Sequence, residues 1–132
     1  MENRTLGIIG GTGWLGRAIA QALLESGFIK PDHLLISNRS GVSTFEAGVK
    51  LLADNQQLVN LSDIVVLSIR PEQFRELRIN ARGKVVISLM AGVPAAAICA
   101  ATGADVVVRA MPNAAVEIRQ SFTPWYLSLI HI

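Results

Sequence analysis

Leu6-Gly7-Ile8-Ile9-Gly10-Gly11-Thr12-Gly13-Trp14-Leu15-Gly16 joins four strand-like residues to a run of glycines and the opening of a helix. The helix is predicted from Trp14 to Ser26. Leu15, Ala18, Ile19, Ala22 and Leu23 share one face of it, while Arg17, Gln21 and Glu25 share the other. Gly27 supplies a left-handed stop. Gly11, Gly13 and Gly16 fall in the spacing G-x-G-x-x-G, and each has a physical task. Gly11 allows a tight turn, Gly13 lets a pyrophosphate approach the backbone, and Gly16 lets helix and strand pack closely. The free N–H groups and positive dipole end of a helix N-terminus then face the phosphates. Such spacing is a weak signal alone, but between a first strand and a first helix it is strong.

Outward from that turn, short apolar runs alternate with helical stretches. Leu34 to Ser37 is predicted as the second strand. A short helix from Phe45 to Val49 is expected to lead into a weak third strand at Lys50 to Leu52. Ile64 to Ile69 reads as the fourth strand, closed by Arg70-Pro71, with helical turns from Glu72 to Leu77. Val85 to Leu89 and Val106 to Val108 are the fifth and sixth strands. The central runs are continuously apolar, so both faces are expected to be buried, as in a parallel sheet with helices on each side. The fold class is therefore α/β, a Rossmann-type, doubly wound, mostly parallel sheet. Val85 to Ala104 is 20 uncharged residues, the length of a membrane span. Gly92-Val93-Pro94 interrupts it, and a strand, a turn and a small helix from Ala95 to Ala101 explain it better.

Composition narrows the function classes. The 132 residues are 51% hydrophobic and 17% charged, which excludes disorder and suits one domain. Twelve basic against ten acidic residues leave +2 with no run of like charge, too little for a nucleic-acid reader. One cysteine, Cys99, excludes an internal disulfide and a cysteine-based zinc site, and with two histidines no metal centre is expected. The first residues lack the pattern of a signal peptide, which points to the cytoplasm.

The end of the second strand discriminates between dinucleotides. An NAD site places Asp or Glu about 20 residues past the motif, on the ribose 2′-hydroxyl. Here Asn38-Arg39-Ser40 stands there, a guanidinium between an amide and a hydroxyl, which suits a 2′-phosphate. NADP(H) is therefore expected over NAD. Ser68-Ile69-Arg70-Pro71 and Ala91-Gly92 close later strands on the same rim and are candidates for the ribose and nicotinamide. No acid, base or nucleophile constellation stands out, so the catalytic residues are unassigned. For hydride transfer this is tolerable, because the cofactor carries the chemistry.

The glycine turn, Asn38-Arg39-Ser40, Asp54-Asn55, Ser68-Ile69-Arg70-Pro71, Ile87 to Val93 and Arg109-Ala110-Met111-Pro112-Asn113 follow in one order. Over about residues 5 to 126 they resemble the N-terminal half of the Δ1-pyrroline-5-carboxylate reductases. The resemblance implies reduction of a cyclic imine to L-proline by NAD(P)H. It places Gly11, Thr12, Gly13, Trp14 and Leu15 on the pyrophosphate, and Asn38, Arg39 and Ser40 on the 2′-phosphate. Asn55 falls on the adenosine side. Ser68, Ile69, Arg70, Pro71, Ala91, Gly92 and Asn113 face the ribose, nicotinamide and substrate mouth. It also implies a C-terminal helical domain that builds a homo-oligomer and completes the substrate site. Residues 1–126 would then be the cofactor domain alone, expected to bind cofactor and turn over little. Residues 127–132 match nothing in the family and are expected to be a non-native tail, with a short edge strand as the other reading.

Three departures shape the alternatives. The glycine loop is one residue longer than the family's, and its Gly-Gly-Thr-Gly form resembles the deazaflavin-dependent NADP reductases. Arg70 stands where the family usually has Lys. Ala114-Ala115 follows Asn113 in place of the usual Thr-Pro. A deazaflavin-dependent reductase domain and a non-enzymatic dinucleotide-binding module are the competing readings.

Overall fold

The computed structural model describes residues 4–10, 13–37, 48–110 and 125–129. Seven strands form one sheet: β1 (Leu6–Ile9), β2 (Leu34–Ser37), β3 (Lys50–Leu52), β4 (Ile64–Leu67), β5 (Val85–Ser88), β6 (Val106–Ala110) and β7 (Trp125–Leu129). Their spatial order is β3-β2-β1-β4-β5-β6-β7. The first six are parallel, and β7 pairs antiparallel with β6. Strand order reverses between β1 and β4, which lie side by side with Leu6 opposite Ile64 and Ile9 opposite Leu67. That is the switch point of a doubly wound sheet.

The helices are α1 (Trp14–Glu25), α2 (Asn55–Leu61), α3 (Pro71–Glu76) and α4 (Ala95–Thr102). Side chains alternate across each strand and so feed two cores. On one face Ile9, Leu35, Val65, Leu67, Val86 and Val107 pack with Leu58 and Val59 of α2, Phe74 of α3, and Ile98 and Cys99 of α4. On the other, Leu6, Ile8, Leu34, Ile36 and Val66 pack with Ala20 of α1 and with Ile29. Burial on both sides explains the continuous apolar runs: every residue of β1 and β2 is buried. The segment Val85 to Ala104 is β5, a turn and α4, and among the described residues no helix is long and apolar enough to cross a membrane.

Several boundaries move. The fourth strand stops at Leu67, two residues before the expected end, and Ser68 to Arg70 become a loop. The fifth stops at Ser88, whose Oγ accepts from the Met90 N–H at 3.2 Å and turns the chain. The sixth runs on to Ala110 because Trp125 pairs with it there. Of the short helix expected from Phe45, residues 45–47 lie outside the described residues, and Gly48 and Val49 are not helical. Helix α2 was not expected at all. On α1 the buried residues are Gly16, Ala20 and, as expected, Ala18, with Leu23 and Leu24 against the core, whereas Leu15 and Ile19 are only half-buried. Small side chains let this helix approach the sheet, so the contact face follows size as well as apolarity.

Candidate functional site

Where strand order reverses, the carboxyl ends of β1, β2 and β4 open onto a cleft of about 540 Å³. That volume lies within the range of small-molecule sites. The cleft is built outward from the strand ends. Ser68 donates its N–H to the Ile9 carbonyl at 2.9 Å, which prolongs the β1–β4 pairing by one residue. Gly10 then turns the chain with φ +85 and donates its N–H to Ser37 Oγ at 3.4 Å. A Cβ at Gly10 would strike the Ser68 carbonyl oxygen and lie 2.8 Å from Ile69 Cγ2. The turn therefore requires glycine twice over, for its left-handed backbone and for its neighbours.

Gly13 presents the opposite case. It caps α1 at φ −70 and ψ 169, a conformation open to any residue. Among the described residues a Cβ there would meet only the Gly10 carbonyl oxygen, at an ordinary 3.4 Å. Gly13 lines the cleft, and among the described residues no side chain caps the first turn of α1. Nothing within the described protein calls for glycine at this place. The cleft side of the helix start thus carries no side chain at Gly13 and no cap from a described residue. These are the features that a pyrophosphate needs at a helix N-terminus.

The far wall comes from α2 and α3. Asp54 caps α2 by accepting from the N–H groups of Gln56 at 2.8 Å and Gln57 at 3.4 Å, which presents Asn55 and Ala53 to the cleft. Gln56 ties this helix to the chain beyond α3. Its Oε1 accepts from the Asn80 N–H at 2.7 Å, and its Nε2 donates to the Asn80 carbonyl at 3.1 Å. In α3, Gln73 Oε1 accepts from the Arg70 N–H at 2.9 Å. This is half of a capping box, because a guanidinium has donors only and cannot accept in return.

Of the residues singled out in the sequence, Gly13, Asn55, Ser68 and Ile69 meet in the cleft. Trp14 and Leu15 open α1 beside it, with Trp14 56% exposed. Arg70 caps α3 at an exposed position and Pro71 begins that helix. Ala91 and Gly92 form an exposed turn after β5 and do not line this cleft. Gly11, Thr12, Asn38, Arg39, Ser40 and Asn113 lie outside the described residues. The sequence reading missed Gly10, Ser37, Ala53, Gln73, Glu76 and Leu77. Ser37 ends a predicted strand on the correct rim, a signal that could have found it. Burial pushes the Cys99 thiol above its ordinary value, in keeping with a small core residue on α4.

Residues 5–92 match the family described as NADP oxidoreductase, coenzyme F420-dependent. The chain belongs to this family. Within the coenzyme F420-dependent NADP oxidoreductase family, the matched span runs from the edge of β1 to the turn after β5 and so contains the whole cleft. The chain is also 30% identical over 131 residues to a pyrroline-5-carboxylate reductase of Methanosarcina acetivorans, covering 92% of this chain and 48% of that protein. It is similar to the solved pyrroline-5-carboxylate reductase of Coxiella burnetii, with a TM-score of 0.83 at 27% identity over 96% of this chain and 50% of that one. The pyrroline carboxylate reductase of Plasmodium falciparum, solved with NADP bound, shares the fold at a TM-score of 0.81 and 22% identity. That match covers 97% of this chain and 49% of the other. The chain thus spans about half the length of the relatives it matches.

Proposed function

We propose that this chain is the NADP(H)-binding domain of an imine reductase of the pyrroline-5-carboxylate reductase type, acting on a cyclic imine to give L-proline. The observation that carries the reading is the beginning of α1. Gly13 has backbone angles that any residue tolerates and, among the described residues, only an ordinary contact at its missing Cβ, yet it stands on the wall of the switch-point cleft at a helix start that no described side chain caps. A pyrophosphate accounts for all three features. Similarity to pyrroline-5-carboxylate reductases along nearly the whole chain supports the substrate class.

In this reading Gly11 to Leu15 hold the pyrophosphate and Asn55 meets the adenosine side. Asn38, Arg39 and Ser40 hold the 2′-phosphate. Ser68 to Pro71, Ala91, Gly92 and Asn113 face the ribose and the nicotinamide. The bound reduced nicotinamide supplies the hydride. The domain's own part is to fix the ring at the strand ends and exclude water behind it. The complete enzyme would be a cytoplasmic homo-oligomer whose remaining half completes the substrate site.

A calorimetric titration of the 132-residue chain tests the reading. NADPH should bind at least about tenfold more tightly than NADH, a difference of about 1.4 kcal/mol. Arg39→Ala should erase that preference. A folded chain that binds neither dinucleotide would end the proposal. Oxidation of reduced deazaflavin coinciding with reduction of bound NADP would replace it with the deazaflavin reading.

A further inference from the structure

Gly7 lies within β1, in register between Leu35 and Val65, where a glycine weakens the strand and needs a reason. The reason is what covers it. A Cβ at Gly7 would collide with Ser62 Oγ and stand 2.5 Å from Leu58 Cδ2, where ordinary contact begins at 3.4 Å. Leu58 belongs to α2 and Ser62 is its last cap, and neither side chain can step aside. Both are buried, and the Ser62 hydroxyl donates to the Leu58 carbonyl at 2.6 Å. The bare backbone at Gly7 is therefore the seat on which α2 lies against the sheet. On one side of that seat the helix end is fastened to the start of β1. Asp63 donates its N–H to the Thr5 carbonyl at 2.8 Å, and Thr5 donates its own to Asp63 Oδ2 at 2.8 Å. On the other side, one turn from Leu58, α2 begins with Asn55 in the wall of the cleft. The tie there is a flexible side chain, that of Gln56 to Asn80. A group pushed in at Gly7 would move this seven-residue helix as one body, and the displacement would fall on its cleft end.

We infer that Gly7 is a positioning residue for the cleft. It does not line the cleft itself, and it acts through Leu58 and Ser62 by setting where α2 carries Asn55. The seat, and not the Asp54 cap, fixes where the helix lies. This rests on the dinucleotide reading above.

Three variants of the 132-residue chain test it by titration with NADPH, at a temperature where each is folded. Gly7→Ala should weaken NADPH at least about tenfold. Val107→Ala, a truncation in the same core but on β6, three strands from β1, should stay within about twofold. That contrast separates a displaced wall from a general loss of stability. Gly7→Ala combined with Leu58→Ala removes the side chain that the new methyl meets and frees Ser62 Oγ to turn. This double variant should return to within about threefold of the unmodified chain, because the two changes share one contact. Normal binding by Gly7→Ala overturns the inference and leaves the dinucleotide reading standing. So does a loss that persists in the double variant or that Val107→Ala matches. Should Gly7→Ala not fold, the double variant decides: near-normal binding upholds the seat, while weak binding or failure to fold overturns it. Failure of the unmodified chain to bind NADPH at all removes both readings together.

Discussion

Two helices start at the rim of one cleft. Helix α2 is closed by its own sequence, because the Asp54 carboxylate takes the N–H groups of Gln56 and Gln57. Helix α1 starts on Gly13, and no side chain of a described residue caps its first turn. The first arrangement is how a fold satisfies a helix end for itself, and the second leaves the end to something else. The two glycines ahead of α1 divide in the same way. Gly10 is glycine because the backbone and Ser68 require it, whereas at Gly13 neither the backbone angles nor the described neighbours require it.

The largest effect that sharpens this contrast is on Gly10. Gly10→Ala combines a left-handed backbone with a collision against the Ser68 carbonyl, and should cost about 3 kcal/mol or more of stability in urea unfolding. Next comes Gly13→Asp, which gives α1 the kind of cap that α2 already has. Its stability should stay level or rise by a few tenths of a kcal/mol, about the difference between glycine and aspartate caps. NADPH affinity should meanwhile fall about 100-fold, as expected when a like charge enters a phosphate site. A stabilised Gly13→Asp chain that still binds NADPH normally would break the comparison. Smallest is Asp54→Ala, which should cost about 1 kcal/mol of stability. Its NADPH affinity should change by less than about threefold, since that helix start serves the fold.

The continuously apolar β1 and β2, buried along their length, begin and end where the pattern placed them, and so does the partly exposed β3. Boundaries slipped where side chains or partners decide the turn, as at Ser88 and at the β6–β7 pairing. Helix α2 was illegible because Asn55-Gln56-Gln57-Leu58-Val59-Asn60-Leu61 carries amides and too few turns to show a period. Its signal was the cap, Asp54, ahead of two buried residues, Leu58 and Val59. In the cleft, residues fixed by the glycine motif or by strand ends could be anticipated, which covers Gly13, Ser68 and Ile69. Gln73, Glu76 and Leu77 could not. They reach the site from one side of a helix whose rotation depends on how Phe74 seats in the core.

The paired bonds between Gln56 and Asn80 have a chemical consequence over time. A carboxamide that accepts from one backbone N–H and donates to the same residue's carbonyl behaves like a strand one residue long, laid between α2 and the chain after α3. Deamidation of Gln56 would keep the accepting half. It would turn the donating half into two oxygens facing each other, since a carboxylate has no proton to give. The seam joins α2, one part of the far wall of the cleft, to the chain after α3, so one slow hydrolysis at Gln56 would loosen that junction.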